Sequence, residues 1–212
     1  MNVPTRRSQT AASDKKTTRI QREKRAVIFE AALQTFSEHG LRGSTLDQIA
    51  SASGLSKPNL LYYFDSKDAI YQELLESLLD DWLAPLHELD ASGDPIETLL
   101  DYIRRKLEMS REMPRESRLF ANEIVQGAPR VHDILANDLK DLVDEKTALI
   151  QGWIDAGKIA PMHPYHLIFS IWAQTQHYAD FDVQVRAIMG QADPFETAPD
   201  FVEMMYRRLL TP

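Results

Sequence analysis

The chain contains no cysteine among its 212 residues, which excludes disulfides, thiol nucleophiles and metal sites built on cysteine. Because this composition suits the reducing cytoplasm, we predict a cytoplasmic protein. Glycine is scarce, with 8 residues, and the alternation typical of half-buried strands is rare. No run of about 18 apolar residues exists, so we expect no membrane-spanning helix. The polar, basic first residues lack an apolar stretch, so we expect no signal peptide.

The chain has 43% hydrophobic residues, and proline and glycine divide it into segments whose apolar side chains have helical spacing. We therefore predict an all-α fold of nine helices. The first runs from Thr18 to His39 and ends at Gly40, and the last two cover His166–Met189 and Phe195–Leu210. The helices between them are predicted after Thr45, at Lys57–Phe64, from Lys67 to a bend or end at Pro85, at Ile96–Arg111, from Pro114 to near Gly127, and from Pro129 to Gly157.

Residues 41–67 have the pattern of a helix-turn-helix. Thr45 is a suitable N-cap for the first helix, and Gln48 three residues later completes a capping box. Gly54 supplies a residue that tolerates positive φ at the turn. Ser56 can cap the second helix, whose first turn accepts a proline because its N–H groups have no intrahelical partner.

The second helix of this pair is short, and its side chains suit phosphate oxygens and base edges better than a buried core. A recognition helix enters the major groove with its N-terminal residues first. The candidate DNA-binding residues are Thr45, Lys57, Pro58, Asn59, Tyr62, Tyr63 and Lys67. The alternative is an ordinary corner between two helices, which has a similar geometry and no role on DNA.

The charge distribution favours DNA binding. Residues 1–67 hold 11 basic and 6 acidic side chains, a net charge of +5. Because the whole chain carries −8, residues 68–212 carry −13. A basic head on an acidic body allows one end of a protein to bind a polyanion. We predict that residues 1–18 form a disordered basic arm, which can also become ordered on the phosphate backbone.

The order of the predicted helices and one motif resemble the TetR family of transcriptional regulators. The motif is GLSKPNLLYYFDSKDAIY, from Gly54 to Tyr71, with an aromatic pair after the second helix and a lysine at the start of the next. The resemblance implies a repressor without a cofactor that binds a near-palindromic double-stranded DNA operator as a homodimer and releases it on binding a small molecule. We divide the chain into the arm at residues 1–18, a helix-turn-helix DNA-binding domain at residues 19–66, and a helical ligand-binding and dimerisation domain at residues 67–212.

A narrower resemblance, over roughly residues 25–190, is to TetR-family repressors of pyrimidine utilisation. It rests on DDWLAPL at 80–86, DEKTALIQGW at 144–153 and HLIFSIWAQTQHYADF at 166–181. This resemblance implies that the effector is uracil or thymine. The alternatives are a TetR-type repressor that responds to a different small aromatic effector, and an architectural DNA binder that has no effector.

Dimerisation is also expected from the short recognition helix, which reads only a few base pairs. Specific binding then calls for two copies about 34–36 Å apart, or a multiple of this distance. The last two predicted helices can join the copies in a four-helix bundle. The final helix has an apolar side formed by Phe201, Met204, Met205 and Leu209. The alternative is that these apolar faces are buried within one subunit.

The predicted helix at His166–Met189 is the expected place for the effector. Ile168, Trp172 and Gln176 are four residues apart and share one face. An indole can stack on a flat pyrimidine, and an amide offers one donor and one acceptor to its edge. The alternative is that Trp172 belongs to the core and Gln176 to an interface.

Five further residues are candidates for binding the effector. They are Trp82, Lys106, Phe120, Glu123 and Asp180. For Trp82 the alternative is plain packing. For Lys106 the alternative is a side chain that extends to water.

Catalysis is not expected from this sequence. His163 and His166 resemble metal ligands in their spacing, but they flank Pro164 at a helix start and have no paired E-x-x-H motif. The sequence contains no Gly-rich phosphate loop and no G-x-S-x-G nucleophile motif. We therefore predict no catalytic residues, no metal site and no enzymatic activity.

Overall fold

The computed structural model describes the backbone of residues 7–212 and the side chains from residue 19 onward. In this part of the chain the regular structure is helical and contains no strand, which confirms the predicted all-α fold. The helices are α1 (Arg7–Gly43), α2 (Leu46–Ala52), α3 (Lys57–Leu61), α4 (Lys67–His87), α5 (Pro95–Glu112), α6 (Pro114–Val125), α7 (His132–Ile134), α8 (Lys140–Asp155), α9 (Pro164–Asp180), α10 (Asp182–Met189) and α11 (Ala198–Leu210). Within the same residues, no helix combines the length and the apolarity that a membrane crossing needs.

The segment predicted as one helix over His166–Met189 is divided in the structure. It lies in α9 and α10, which meet at Phe181. Phe181 has φ −111° and ψ 26°, so the helical path breaks there, although its N–H still donates to the carbonyl of His177 at 3.0 Å. The apolar spacing continues across this break, and periodicity alone therefore predicted a single helix.

The helix predicted from Pro129 to Gly157 begins later and changes its winding. α7 starts at His132, and a π-helical turn at Leu135–Leu139 links it to α8. The start is delayed because Ala128 has φ 52°, a left-handed conformation, in a turn where its carbonyl accepts the N–H of the residue three positions later. Likewise, a 3₁₀ turn at Pro194–Glu196 precedes α11, which begins after the predicted Phe195 start.

α1 begins at Arg7, within the segment predicted as a disordered arm, residues 1–18. Residues 7–18 contain neither proline nor glycine, so no residue there interrupts a helix. The arm therefore has a helical backbone from Arg7 onward, and residues 1–6 lie outside the described residues. At its other end α1 kinks at Gly40, whose φ of 65° is the left-handed conformation predicted to end the helix.

The boundaries of α4 follow from capping and proline chemistry. The Ser66 hydroxyl accepts the N–H of Ala69 at 3.0 Å, which is the hydrogen bond of an N-cap residue. Pro85 lies inside α4, close to its end at His87, so the proline marks the last turn of the helix.

The helices form two units, residues 1–74 and residues 75–212, with the boundary inside α4. In the first unit α1 contacts α2 and α2 contacts α3, around the fully buried side chains of Phe36, Ile49 and Leu60. In the second unit α5 contacts α6, α9 and α11. The core of this unit includes Leu86, Leu100, Ile103, Ile150, Ile171 and Val202.

We predict opposite stability effects for alanine at two glycines. Gly54 has φ +67° between α2 and α3, which costs an L side chain about 1–2 kcal/mol, so Gly54→Ala should destabilise the protein by that amount. Gly152 lies inside α8, where an added Cβ meets nothing within 4 Å, so Gly152→Ala should stabilise it by about 0.5–1 kcal/mol. Urea unfolding followed by circular dichroism measures both, and a gain for Gly54→Ala would contradict the assigned turn.

Candidate functional site

The helix-turn-helix begins with the predicted capping box. The backbone N–H of Thr45 donates to the side-chain oxygen of Gln48 at 2.8 Å, and the backbone N–H of Gln48 donates to the Thr45 hydroxyl at 3.2 Å. The Ser56 hydroxyl accepts the N–H of Asn59 at 3.4 Å at the start of α3. These contacts confirm the two predicted caps and fix the path of the chain through the turn.

α3 has one buried side and one side that faces solvent. Leu60 is fully buried within the first unit, and Lys57, Pro58 and Asn59 are exposed. The predicted helix over Lys57–Phe64 is shorter in the structure, because α3 ends at Leu61 and the chain turns. The outward residues are the ones predicted to meet DNA, and they lie together at the start of the helix.

The two predicted tyrosines follow α3 in this turn. Tyr62 is 73% exposed, and its ring meets the half-buried ring of Tyr63 edge to face at 5.1 Å. Arg25 of α1 donates to the carbonyl of Tyr63 at 3.2 Å, and its guanidinium lies 4.2 Å from the ring centroid of Phe64. Arg25 also pairs with Glu73, so the tyrosine pair sits on a turn that α1 and α4 hold in place.

The two predicted lysines have different surroundings. The ammonium of Lys57 pairs with Asp47 at 2.9 Å, and both side chains are exposed. Such surface pairs contribute little, about 0–1 kcal/mol, so a phosphate can compete for the lysine. Lys67 is half-buried and donates to the carbonyls of Leu41 and Ser44 at 2.6 Å each, which ties α4 to the corner between α1 and α2. An ammonium group has three donors, and these two carbonyls occupy two of them.

The second unit contains a cavity between α4, α5, α6 and α9. It is lined by Leu78, Leu79, Trp82, Leu83, Lys106, Phe120, Leu139, Trp172 and Gln176. Its volume is about 70 Å³. One water needs about 10–15 Å³ of such space, so the cavity has room for a small ligand on the order of a single ring. Five of the seven predicted effector-binding residues meet here, from helices far apart in the sequence.

Trp172 is held in one orientation by a residue that sequence reasoning missed. Its indole N–H donates to the hydroxyl of Tyr102 at 2.7 Å. Tyr102 is 3% exposed, and burial raises the pKa of its hydroxyl far above the usual value. The indole N–H is therefore engaged, and it is the ring of Trp172 that lines the cavity. The signal in the sequence was that Tyr102 and Lys106 are four residues apart on α5 and share a face.

Lys106 is buried rather than extended to water. It is 3% exposed, its nitrogen lies 4.1 Å from the ring centroid of Trp82, and it donates to the Trp82 carbonyl at 3.4 Å. Burial lowers the pKa of Lys106 to about 7, and the negative charge of Asp180 opposes this shift. The structure thus excludes the alternative of a side chain that reaches solvent, and it gives Trp82 a cation to contact.

The two predicted carboxylates, those of Asp180 and Glu123, do not line the cavity. Asp180 accepts a hydrogen bond from the Ser117 hydroxyl, and burial raises the pKa of Asp180. Glu123 is 2% exposed and accepts the backbone N–H of Arg130 at 3.0 Å, with the guanidinium at 3.4 Å. Glu123 therefore stabilises the turn after α6, and Asp180 acts on the cavity only through its charge.

The faces predicted for dimerisation carry apolar side chains that are in contact with solvent. They are Phe169, Phe181, Val183, Ile188 and Met189 on α9, α10 and the residue that joins them, and Phe201, Met204 and Leu209 on α11. Their exposed fractions lie between 40% and 82%. Met205, predicted on the same side of α11, is half-buried and packs against the core instead.

The two histidines considered as metal ligands lie at the start of α9. The rings of His163 and His166 have centroids 4.8 Å apart. From residue 19 onward, no group of three or more histidine and acidic side chains is arranged to hold a metal ion.

Two family models match the chain. Residues 28–74 match the model of bacterial regulatory proteins of the tetR family, and residues 75–212 match that of the C-terminal region of YcdC-like proteins. The chain belongs to the TetR family. It is therefore a TetR-type transcriptional regulator, and the two matched regions meet where the two structural units meet.

Individual relatives support this assignment. The transcriptional regulator RutR of Escherichia coli K12 is 54% identical over 167 residues, which are 79% of each chain. The repressor KstR2 of Rhodococcus jostii RHA1 is 37% identical over 70 residues, 33% of this chain and 34% of that protein. The likeness to RutR thus extends well beyond the DNA-binding region.

Solved structures in the family share the fold. The ketosteroid transcriptional regulator KstR2 of Mycobacterium tuberculosis has a TM-score of 0.67 at 20% identity, covering 89% of this chain and 95% of that one. A TetR-like regulator from Rhodococcus sp. RHA1 has a TM-score of 0.64 at 19% identity, covering 87% and 94%. At these identities the likeness concerns the fold alone.

We predict that Lys106 makes the stability of the protein depend on pH. Its pKa is about 7 in the native state and near 10.5 in the unfolded chain, so between these values the unfolded chain holds a proton that the native state has lost. Raising the pH in this window therefore stabilises the native state, by at most about 1.4 kcal/mol per pH unit. Lys106→Met has no titratable group here and should have the higher free energy of unfolding at the low end of the window. The difference from the wild type should decrease as the pH rises.

Urea unfolding at several pH values measures this difference. Lys146→Met is the matched control, because Lys146 is also buried but its ammonium donates to the His87 carbonyl and pairs with Glu145 outside the cavity. The control should keep the pH dependence of the wild type. A constant difference between Lys106→Met and the wild type across the window would contradict the prediction.

Proposed function

We propose that this TetR-type regulator represses genes of pyrimidine utilisation and releases its operator when uracil or thymine occupies the cavity between α4, α5, α6 and α9. The observation that carries the proposal is the composition of this cavity, which combines two indoles, an amide and an ammonium group in a space the size of one ring. The 54% identity to RutR supports the same conclusion, since it covers most of both chains.

The chemistry of the cavity suits a pyrimidine. Uracil is flat, so the rings of Trp82 and Trp172 offer stacking surfaces. Its edge alternates carbonyl oxygens with N–H groups, and the Gln176 amide can pair with one of each. The Lys106 ammonium can donate to a second carbonyl. A ligand without these groups leaves buried polar atoms unpaired, which costs about 1–3 kcal/mol per group.

The DNA-binding half of the proposal rests on the outward face of the helix-turn-helix. The exposed side chains of Lys57, Asn59 and Tyr62 can reach phosphates and base edges in the major groove. One such face reads a few base pairs, so the operator has two half-sites about 34–36 Å apart or a multiple of this distance. The net charge of −13 on residues 68–212 keeps the rest of the protein away from DNA.

The homodimer would form through α9, α10 and α11. Their exposed apolar side chains, Phe169, Phe181 and Ile188 on one segment and Phe201 and Met204 on the other, need cover from water. Two helical segments from each copy would bury them in a four-helix bundle.

Release then follows from a shift in population. The effector binds more tightly to a conformation in which the two recognition helices have the wrong spacing, because a ligand with equal affinity for both conformations changes nothing. α4 carries Trp82 of the cavity wall and begins at Lys67, directly after the recognition turn. A coupling of about 1–3 kcal/mol per effector is the usual scale for such regulators.

We predict that Gln176→Ala weakens uracil binding by about 10- to 100-fold, because it leaves the polar edge of the ring unpaired. Gln174→Ala is the matched control, since Gln174 is exposed on the same helix and does not line the cavity. Isothermal titration with uracil and thymine measures both affinities. Equal losses in the two variants, or tight binding of a different aromatic compound in preference to pyrimidines, would contradict the proposed effector.

We predict that Lys57→Ala weakens operator binding and lowers the salt dependence of the binding constant by about one unit of slope, because one phosphate contact is lost. The operator is first selected from a random DNA pool, and fluorescence anisotropy at several salt concentrations then gives the slope. Lys158→Ala, an exposed lysine of the second unit, should behave as wild type. Uracil affinity should be unchanged in both, and an unchanged slope for Lys57→Ala would place the DNA contacts elsewhere.

A further inference from the structure

We propose that the protonated side chain of Lys106 determines specificity in the cavity: it requires an acceptor oxygen on the bound ring, so the cavity selects oxo-pyrimidines over amino-pyrimidines and takes up a proton on binding. The inference rests on the proposed function, because it assigns how the same cavity distinguishes among pyrimidines and how pH regulates it.

The position of Lys106 is the first argument. Among the nine residues that line the cavity in the described part of the chain, Lys106 is the charged one, and it is 3% exposed. The surrounding wall is apolar or aromatic apart from Gln176. A purely structural helix would carry leucine at such a position, because an ammonium among apolar side chains is costly unless a partner offsets the cost.

The donor count is the second argument. An ammonium has three N–H donors and no acceptor. One donor of Lys106 faces the Trp82 carbonyl at 3.4 Å, which is a long contact, and the charge lies against the Trp82 ring. The remaining donors can meet a carbonyl oxygen of a bound ring. An amino group in the same place would set donor against donor and leave both unpaired.

The state of Lys106 near neutral pH is the third argument. Burial lowers the pKa of Lys106 to about 7, so the empty cavity holds a mixture of ammonium and neutral amine at that pH. A carbonyl acceptor favours the charged form and raises this pKa again. Binding therefore draws a proton from solution. At higher pH the neutral amine has a lone pair, which accepts a hydrogen bond from an amino group on the ring. The discrimination between oxo-pyrimidines and amino-pyrimidines therefore decreases.

The charged group that acts on Lys106 is Asp180 of α9. Asp180 is in turn influenced by the charges of His177 on the same helix and of Arg118 on α6. Asp180 is itself held by the Ser117 hydroxyl of α6. The cavity side chains of α4 and of the π-helical turn are uncharged, and so is Phe120 of α6.

Two further titratable groups on the neighbouring helices do not line the cavity. On α5, the buried Tyr102 hydroxyl is occupied by Trp172. On α6, Glu123 is paired with Arg130. Lys106 is therefore the group in the cavity that can take up a proton when the ring enters, and Asp180 influences Lys106 through its charge.

The test is isothermal titration of the full-length protein with uracil between about pH 6 and about pH 8.5, in two buffers that differ in ionisation enthalpy. We expect no net proton uptake at the low end and nearly one proton per site at the high end. The affinity should fall by up to about tenfold per pH unit above 7, since one proton is linked to binding.

Competition by amino-pyrimidines tests the selection itself. Cytosine and isocytosine each replace one of the two uracil carbonyls with an amino group. At the low end of the pH range at least one of them should bind about 10- to 100-fold more weakly than uracil, because it leaves a donor of Lys106 unpaired. The ratio of the affinity for uracil to the affinity for that amino-pyrimidine should decrease as the pH rises.

Two variants and one control assign the effect to Lys106. Lys106→Gln offers both a donor and an acceptor, so it should bind uracil without proton uptake and with a ratio independent of pH. Lys106→Met removes the donor as well, and it supplies the same test if the glutamine variant does not fold by circular dichroism. Lys146→Met, a buried lysine outside the cavity, should keep the proton uptake of the wild type.

The outcomes separate this inference from the proposed function. Uracil binding by the wild type without proton uptake, or unchanged uptake in Lys106→Gln, overturns the inference and leaves the proposed effector standing. Failure of the wild type to bind any pyrimidine overturns the proposed function and the inference with it.

Discussion

The burial of one ammonium group, that of Lys106, is the constraint on which the chemistry of the cavity in the second unit depends. An unpartnered charge among apolar helices is unfavourable by about several kcal/mol, so the groups that offset this cost matter. The Trp82 ring at 4.1 Å and the Trp82 carbonyl come from α4, and the charge of Asp180 comes from α9. These groups surround Lys106 at the wall of the ring-sized cavity. Lys106 and its Trp82 contact are therefore part of the chemistry of the site.

The candidate site of the first unit differs from the cavity, because its polar groups face solvent and its buried core is small. Leu60 anchors α3 from within, and Lys67 ties α4 to two backbone carbonyls of the preceding corner. The outward contacts, such as the pair between Lys57 and Asp47, are exposed and weak. A weak, exposed pair of this kind can exchange its intramolecular partner for a phosphate.

Membership of the TetR family establishes the class of the protein, whereas the effector depends on a few side chains. A ketosteroid transcriptional regulator shares the fold at 20% identity, so the fold alone does not select a ligand. In this chain the cavity of about 70 Å³, its two indoles and its amide are the features that point to a small flat ring.

The sequence by itself determined what depends on neighbours a few residues away. The capping box at Thr45, the left-handed turn at Gly54 and the shared face of Trp172 and Gln176 all follow from local spacing, because hydrogen bonds and helical periodicity act over three or four positions. Only the tertiary structure decided which polar groups enter the cavity.

Trp172 donates to Tyr102, which is 70 positions away in the sequence, and Ser117 donates to Asp180, which is 63 positions away. Glu123 does not line the cavity, because it accepts the backbone N–H of Arg130 in the turn after α6. Such partners are set by how helices pack, and helical spacing carries no information about which distant side chain fills a given space.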